Sequence, residues 1–475
     1  MERYSYNRDN VRTGIVHFGV GNFHRAHQEY YTDKLMSGFP DQLRWGICGA
    51  MILPQDERLY RALKSRDNHY TLTECFPDGS TTVRTIGALK ELYWGIEERD
   101  QLLARLSSPQ IALVTLTITE GGYNIDRETG EFCMETPDVA HDLAHPSEPR
   151  TVFGYMAEAL RCRKEAGLPL TILSCDNLRQ NGNTAKKAFL SFFKAQDPEL
   201  ARWAEENVSF PNSMVDRITP ATKPADIVRL NALNGTDDPA PVCTEDFIQW
   251  VIEDNFICGR PAWERVGVLF TDKVDDYENM KLTLLNASHM MIGFAGTLAG
   301  YSKVDEVMAD PVLGPYIRTY MERAMTPLVP PPPGIDLNEY KDSLMARFSN
   351  PTISDTTARL CGDGISKLKV YIIPPLRKQL QKGMDTTDLA FFTACYYLYL
   401  HDAKDCNGKK IDVEEPYMSE EDWQIIRQGK PEIFTTISLF SDCAEYLHPG
   451  FNADVARYAD LISRQGVIKT IESLL

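Results

Sequence analysis

The chain contains no Cys-x-x-Cys pair and no His-Glu-x-x-His among its 475 residues. The usual spacings of structural zinc sites and of metalloprotease helices are therefore missing. Its eleven cysteines are scattered singly and odd in number. Several of them, Cys48, Cys175, Cys258 and Cys395, lie in apolar stretches, where a thiol serves as a small buried hydrophobe in a reducing compartment. Basic charge is scarce as well. Lysines and arginines number 50 against 67 acids, for a net charge of −17, which opposes a nucleic-acid or anionic-membrane partner. No run approaches the ~18 uninterrupted apolar residues of a membrane span. The first ten residues, Met1 to Asn10, hold no apolar signal core, so the cytosol is the expected compartment. Internal repeats and low-complexity tails are absent too. What remains is an ordinary globular composition, 43% hydrophobic and 25% charged, with length for two to three domains.

The first half alternates strands and helices. Gly14-Ile-Val-His-Phe18 reads as a strand running into Gly19-Val20-Gly21-Asn22-Phe23-His24-Arg-Ala-His27, and then a helix toward Met36. Strand, glycine turn and helix together form the setting of a dinucleotide fingerprint: one glycine for the tight turn, a second for close approach of backbone to pyrophosphate. His24 stands where that fingerprint has its third glycine, so the motif alone is weak. His24 and His27, at helical spacing, suit a metal, packing or cofactor contact. Trp45–Met51 reads as the second strand. Asp56 follows it, placed either to bond ribose hydroxyls of NAD or to sit as a surface acid.

Thr71–Phe76 and Thr81–Ile86 suggest a hairpin around Pro77-Asp-Gly79. Ile111–Ile118 and Leu168–Ser174 read as buried parallel strands, ending in Thr119-Glu-Gly-Gly122 and in Ser174-Cys-Asp-Asn177. Asp216-Arg217 invites a structural ion pair. Strands at Gln249–Phe256 and Val266–Phe270 close the alternation.

From Asp276 the chain reads mostly as helices, with Pro330–Pro333 a stiff spacer. The expected architecture is α/β: a Rossmann-like dinucleotide-binding domain over 1–275, followed by a mainly helical domain over 276–475. The segment Asp276–Tyr301 reads as one long buried helix. At about 100° per residue, Glu278, His289 and Asn286 lie roughly 60°, 80° and 140° round from Lys281. Four polar groups on an apolar helix cost free energy unless they meet partners or a ligand. This is the reacting face we expect, with Lys281 as acid and base, at the domain seam where a cleft would form.

Several long motifs, in one order, resemble the polyol-specific long-chain dehydrogenases over nearly the whole chain. Their carriers are Gly19–His27, Leu116–Tyr123, Ser174–Asn177 with Asn181-Gly182, Phe210–Pro220, Trp250 with Glu253-Asp254, Gly259–Trp263, Lys281–His289 and Arg347–Asn350. The family shares the histidine in place of the third glycine. The resemblance implies metal-independent hydride transfer with NAD, here oxidation of D-mannitol to D-fructose and its reverse. It implies Lys281 as catalytic base, Asn177 and Asn286 as donors to the reacting oxygen, and Glu278 on the proton's way out. Asp216, His289, Arg359 and Lys367 would contact substrate. Gly19, Val20, Gly21, Asn22, Phe23 and Asp56 would hold the cofactor.

Alternatives within that family are fructuronate/mannonate or another polyol, arabinitol or sorbitol. From other classes come a non-catalytic dinucleotide sensor and a Schiff-base lyase built on Lys281. No surface feature demands an oligomer, and a monomer is expected.

Overall fold

The computed structural model describes residues 2–126 and 129–475. The chain forms two compact units, one of residues 1–76 with 80–274 and one of residues 77–79 with 275–475.

Among its described residues the first unit carries thirteen strands: β1 (Glu2–Arg3), β2 (Thr13–Phe18), β3 (Gly46–Met51), β4 (Tyr70–Cys75), β5 (Thr81–Ile86), β6 (Leu89–Trp94), β7 (Leu113–Leu116), β8 (Leu170–Ser174), β9 (Val208–Ser209), β10 (Ser213–Asp216), β11 (Val242–Glu245), β12 (Gln249–Ile252) and β13 (Leu269–Phe270). Six of them make a parallel sheet in the order β6-β3-β2-β7-β8-β9. Taken in succession these strands run 3-2-1-4-5-6, the doubly wound dinucleotide-binding order. Every residue of β2, β3, β7 and β8 is buried, as a sheet covered on both faces requires. Alternate residues feed opposite cores. Ile15, Ile47 and Leu113 join one cluster with Ala26, Tyr31 and Leu35. Val16, Cys48 and Val114 join another with Leu102, Phe153 and Phe189.

The strand ends lie up to four residues from the sequence expectation, with β5 matching it at both ends; β1, β9, β10 and β11 are not foreseen by it, and nor is β6. It is an edge strand whose Lys90 and Glu91 interrupt the apolar pattern. The foreseen hairpin forms: β4 and β5 pair antiparallel with Cys75 opposite Thr81.

The second unit is helical around one continuous core, with Phe294, Tyr316, Leu344, Phe391 and Tyr396 fully or almost fully buried. Its first helix is not the single α-helix expected. It runs as an α segment Val274–Met280, a π turn Lys281–Asn286 and an α segment Ala287–Leu298. A second π turn covers Met321–Met325, where Thr326 Oγ1 and Gln379 Nε2 donate to the carbonyls of Met321 and Ala324. The stretch expected as one helix through Arg359 and Lys367 is two, Thr357–Cys361 and Gly364–Tyr371. They are broken at Gly362-Asp363, where Asp363 takes a left-handed φ of 52°.

Candidate active site

The glycine turn of the first unit is shaped by backbone geometry. Gly19 adopts φ 92°, and a Cβ there would lie 2.0 Å from the Thr117 carbonyl oxygen, so only glycine fits. Gly21 is different. A Cβ on it would meet no atom nearer than the Gly19 carbonyl at 3.9 Å. The protein leaves room there for a close-approaching group. The Asn22–Ala26 helix that follows has no side-chain N-cap, which leaves its first N–H groups without a capping side chain, as an anion-binding turn requires.

Behind this turn lies a buried stack. The His17 and His24 rings overlap at 3.3 Å between centroids, 7° apart in plane. His17 bonds the Thr115 and Thr117 hydroxyls at 2.7 and 2.8 Å, and Thr117 Oγ1 donates to the Gly19 carbonyl at 2.6 Å. His24 Nε2 meets Glu29 Oε1 at 3.0 Å with both side chains fully buried. Burial holds both imidazoles well below their ordinary range and pushes the Glu29 carboxyl up to about 7. The histidine in place of the third glycine is thus a packed support for the turn. His27 Nε2 lies 2.9 Å from the Gln249 carbonyl. His24 is held by its stack on His17 and His27 by the Gln249 carbonyl, and the described residues hold no cluster of three metal-ligating side chains.

The amide of Asn22 is also engaged within the protein. Its Nδ2 donates to Pro220 O and Thr222 Oγ1, and its Oδ1 accepts from Arg25. Only its backbone is left to serve a cofactor. Val20 is buried, and Phe23 stacks on His27 at 5.0 Å. Asp56 follows β3, where its carboxylate accepts from the Leu53 amide at 2.9 Å. Beside it a cavity of about 600 Å³ opens at the carboxyl ends of β3 and β6, lined by Ile52, Leu53, Pro54, Gly95, Ile96 and Tyr155 among others. In a doubly wound sheet ligands occupy that end.

The loops after β7 and β8 are tied to one buried acid. Asp176 accepts from the Ile118 and Thr119 amides and from the Tyr123 hydroxyl, and burial pushes its carboxyl up to about 6. Asn181 Nδ2 donates to the carbonyls of Ser174, Asp176 and Ser213. Between these anchors Asn177 stands exposed. Sequence reasoning took Asn181 only as part of a motif. Its role as the loop's anchor depends on which carbonyls the fold gathers.

Asp216 ends β10 and is 4% exposed. Successive strand residues face opposite ways, and Arg217 reaches Glu74 at 2.6 Å and the Ala26 and Glu245 carbonyls.

In the second unit Glu278, Lys281, Asn286 and His289 are all buried, 6 to 9% exposed. The π turn changes their geometry. An i→i+5 ladder winds about 4.4 residues per turn, about 80° per residue, so Asn286 falls about 50° from Lys281 instead of about 140°. Counting the α segment onward, His289 comes within about 10° of Lys281, with Glu278 about 60° away. Four groups that a regular helix would spread over some 140° are gathered into about 70°. The Asn286 side-chain oxygen has no hydrogen-bond partner among the described residues, a deficit that a hydroxylated ligand removes. His289 packs on Phe348 at 4.7 Å.

Arg359 is held by Asp355, a residue that sequence reasoning did not single out. Its Nε and Nη2 lie 2.6 and 2.5 Å from the two carboxylate oxygens. Lys367 donates to the carbonyls of Arg359 and Leu360 at 3.0 and 3.1 Å, closing the Thr357–Cys361 helix. Burial, and then the Arg359 charge, lower its basicity.

Comparison with known proteins agrees with this layout. A family profile described as the mannitol dehydrogenase Rossmann domain matches residues 13–265, and one described as the mannitol dehydrogenase C-terminal domain matches 273–455. The chain is 44% identical over 418 residues to a polyol:NADP oxidoreductase of Gluconobacter oxydans, covering 87% of this chain and 85% of that protein. It is 39% identical over 471 residues to a mannitol 2-dehydrogenase of Phaeosphaeria nodorum, covering 98% and 82%. Among solved structures, a substrate-free D-sorbitol dehydrogenase superposes with a TM-score of 0.92 at 39% identity, covering 99% of this chain and 97% of that one. The Pseudomonas fluorescens mannitol 2-dehydrogenase, in ternary complex with NAD and D-mannitol, gives 0.89 at 41%, covering 100% and 96%. With both profiles matched in order across most of its length, the chain belongs to the mannitol dehydrogenase family.

Proposed function

We propose that this protein interconverts D-mannitol and D-fructose, with NAD as hydride carrier and Lys281 as the group that takes and returns the hydroxyl proton. The observation that carries the reading is the π turn, which gathers Lys281, Asn286, His289 and Glu278 on one side of a buried helix. A base for the carbinol proton and a hydrogen-bond donor for the growing negative charge on oxygen are what alcohol oxidation asks of a protein. Bound NAD would supply the hydride-accepting chemistry. Neutral Lys281 takes the hydroxyl proton. In the reverse direction its ammonium returns the proton to the ketone oxygen. Asn286 steadies that oxygen, and Glu278, about one helical turn before Lys281, relays the proton outward. His289 reads a further hydroxyl. Asn177 and Asp216 are assigned to the same substrate by the family resemblance.

The glycine turn suits a dinucleotide through the open space over Gly21. The Asp56 carboxylate favours ribose hydroxyls and repels a 2′-phosphate, which supports NAD over NADP. The cytosol and a monomeric state are part of this proposal, in keeping with eleven free cysteines. Among the described residues no helix is long and apolar enough to cross a membrane.

A coupled assay tests the reading, with NADH and NADPH each paired with fructose and fructuronate. Oxidation of NADH by fructose is expected, with Lys281→Ala losing turnover by at least about a thousandfold while keeping NADH affinity. Full turnover in that variant would refute the assignment of Lys281. NADH binding without turnover of any polyol or ketose would return the protein to a sensor. Trapping of a substrate adduct by borohydride would favour the lyase.

A further inference from the structure

A family of this kind must choose between neutral polyols and carboxylate-bearing sugar acids. The cations that would hold a carboxylate here are Arg359 and Lys367, and both are already engaged. Arg359 gives two of its donors to Asp355 in a fork-to-fork pair, the geometry in which guanidinium and carboxylate satisfy each other. Asp355 is 7% exposed, while the Arg359 side chain keeps 51%. Burial opposes the charge on Asp355, but the hydrogen bonds and charge of Arg359, helped by His289, hold its carboxyl below the usual range. The acid is therefore an anion at neutral pH. Its backbone is fixed as well: its carbonyl accepts from Val304 N at 3.1 Å, and Ser354 before it takes a left-handed φ of 53°. Lys367 spends two of its three protons on helix-end carbonyls. The open depression that Arg359 lines also carries Asp363, Glu414 and Glu415. Around this arginine, acids outnumber the free positive charge.

We infer that Asp355 is a specificity-determining residue: by neutralising Arg359 it makes the site accept uncharged polyols and ketoses and turn away substrates bearing a carboxylate. This inference rests on the proposed reading that Arg359 faces substrate. Arg359 then serves as an oriented hydrogen-bond donor to hydroxyls, with Asp355 setting the plane of its guanidinium. Freed of Asp355, the same arginine becomes an unpaired cation able to take a carboxylate bidentately.

The test is Asp355→Asn, which keeps shape and removes charge. Steady-state reduction of fructose and of fructuronate, a ketohexuronate, is measured with NADH for parent and variant. The ratio of kcat/KM for fructuronate over fructose is expected to rise about tenfold or more, since one unit charge is removed beside the arginine. Loss of activity on both substrates in parallel, with no change in ratio, overturns the inference, because a merely structural role lowers both together. Asp355→Glu retains the charge and should keep the parental ratio. If neither variant folds, inhibition of the parent decides. An aldonate such as gluconate is expected to compete more weakly than its neutral polyol, and equal or tighter competition overturns the inference. If the parent itself fails to reduce fructose, it is the proposed function that falls, independently of the ratio.

Discussion

The His24–Glu29 pair under the glycine turn makes a quantitative prediction. Glu29 is fully buried, and burial, opposed by Tyr70 and Arg25, pushes its carboxyl from 4.5 to about 7. In the unfolded chain the group ionises at its ordinary value. Between those two values the folded state keeps a proton that the unfolded chain has released. The contribution of Glu29 to stability is therefore fully present below pH 4.5 and is lost as the pH rises through 7. At about 1.4 kcal/mol for each tenfold change in proton affinity, the rise from 4.5 to about 7 amounts to about 3 kcal/mol. Glu29→Gln has no proton to release and retains a polar partner for His24, which burial keeps neutral. Other raised acids, Asp33, Asp56, Asp176 and Glu415, are common to both proteins and cancel in the comparison. The melting temperature of the parent is thus expected to fall relative to that of Glu29→Gln by about 6 to 12 °C between pH 4.5 and 8, at 2–4 °C per kcal/mol for units of this size. Thermal melts of both proteins across that window, followed by near-UV circular dichroism, measure it. Parallel curves would refute the claim that Glu29 is held protonated by its surroundings.

Further predictions address the turn, the Lys281 helix and the second core. Gly21→Ala should leave the melting temperature within about 2 °C, because the protein has space for the methyl, yet weaken NADH binding at least about tenfold by filling the room reserved for pyrophosphate; equal affinity in a titration would discount that space as a cofactor site. Deleting Thr283 removes the residue in excess of an α-helix, so the π turn should relax to α with Asn286 about 40° from Lys281 and both flanking segments in register. The variant is expected to melt cooperatively, whereas the same deletion in a regular helix rotates everything beyond it by about 100°, and loss of cooperative melting would count against the argument. Arg323→Ala strands the buried carboxylate of Asp388, which would keep only the Tyr316 hydroxyl, and should cost about 3 kcal/mol in urea unfolding. A cost below about 1 kcal/mol would mean that Asp388 finds other solvation.

Much of this protein follows from local chemistry that a sequence displays. Continuous apolar runs such as Gly14–Phe18 and Ile111–Ile118 mark parallel strands, because sheets covered on both faces leave no polar side. Gly19 marks its turn, because only glycine tolerates both the positive φ and the Thr117 carbonyl. The chemical set on the Lys281 segment is visible from residue types alone, and the motif order identifies the family. Other features follow no local rule. Strand β6 hides because an edge position tolerates Lys90 and Glu91. The helix through Arg359 and Lys367 breaks at Gly362-Asp363, where a left-handed Asp363 begins a new axis. Arg217 reaches Glu74, a partner 143 residues away.

The sequence by itself determined the doubly wound sheet, the glycine turn, the helical second half and the polar set on the Lys281 segment, since each depends on periodicity, backbone sterics or side-chain chemistry. Only the tertiary structure decided that Lys281–Asn286 winds as a π turn, that His24 is a stacked and neutral support, and that Asp355 neutralises Arg359. The reason is the same each time. Packing chooses the helical pitch, burial chooses the protonation state, and the fold chooses which opposite charge lies within reach.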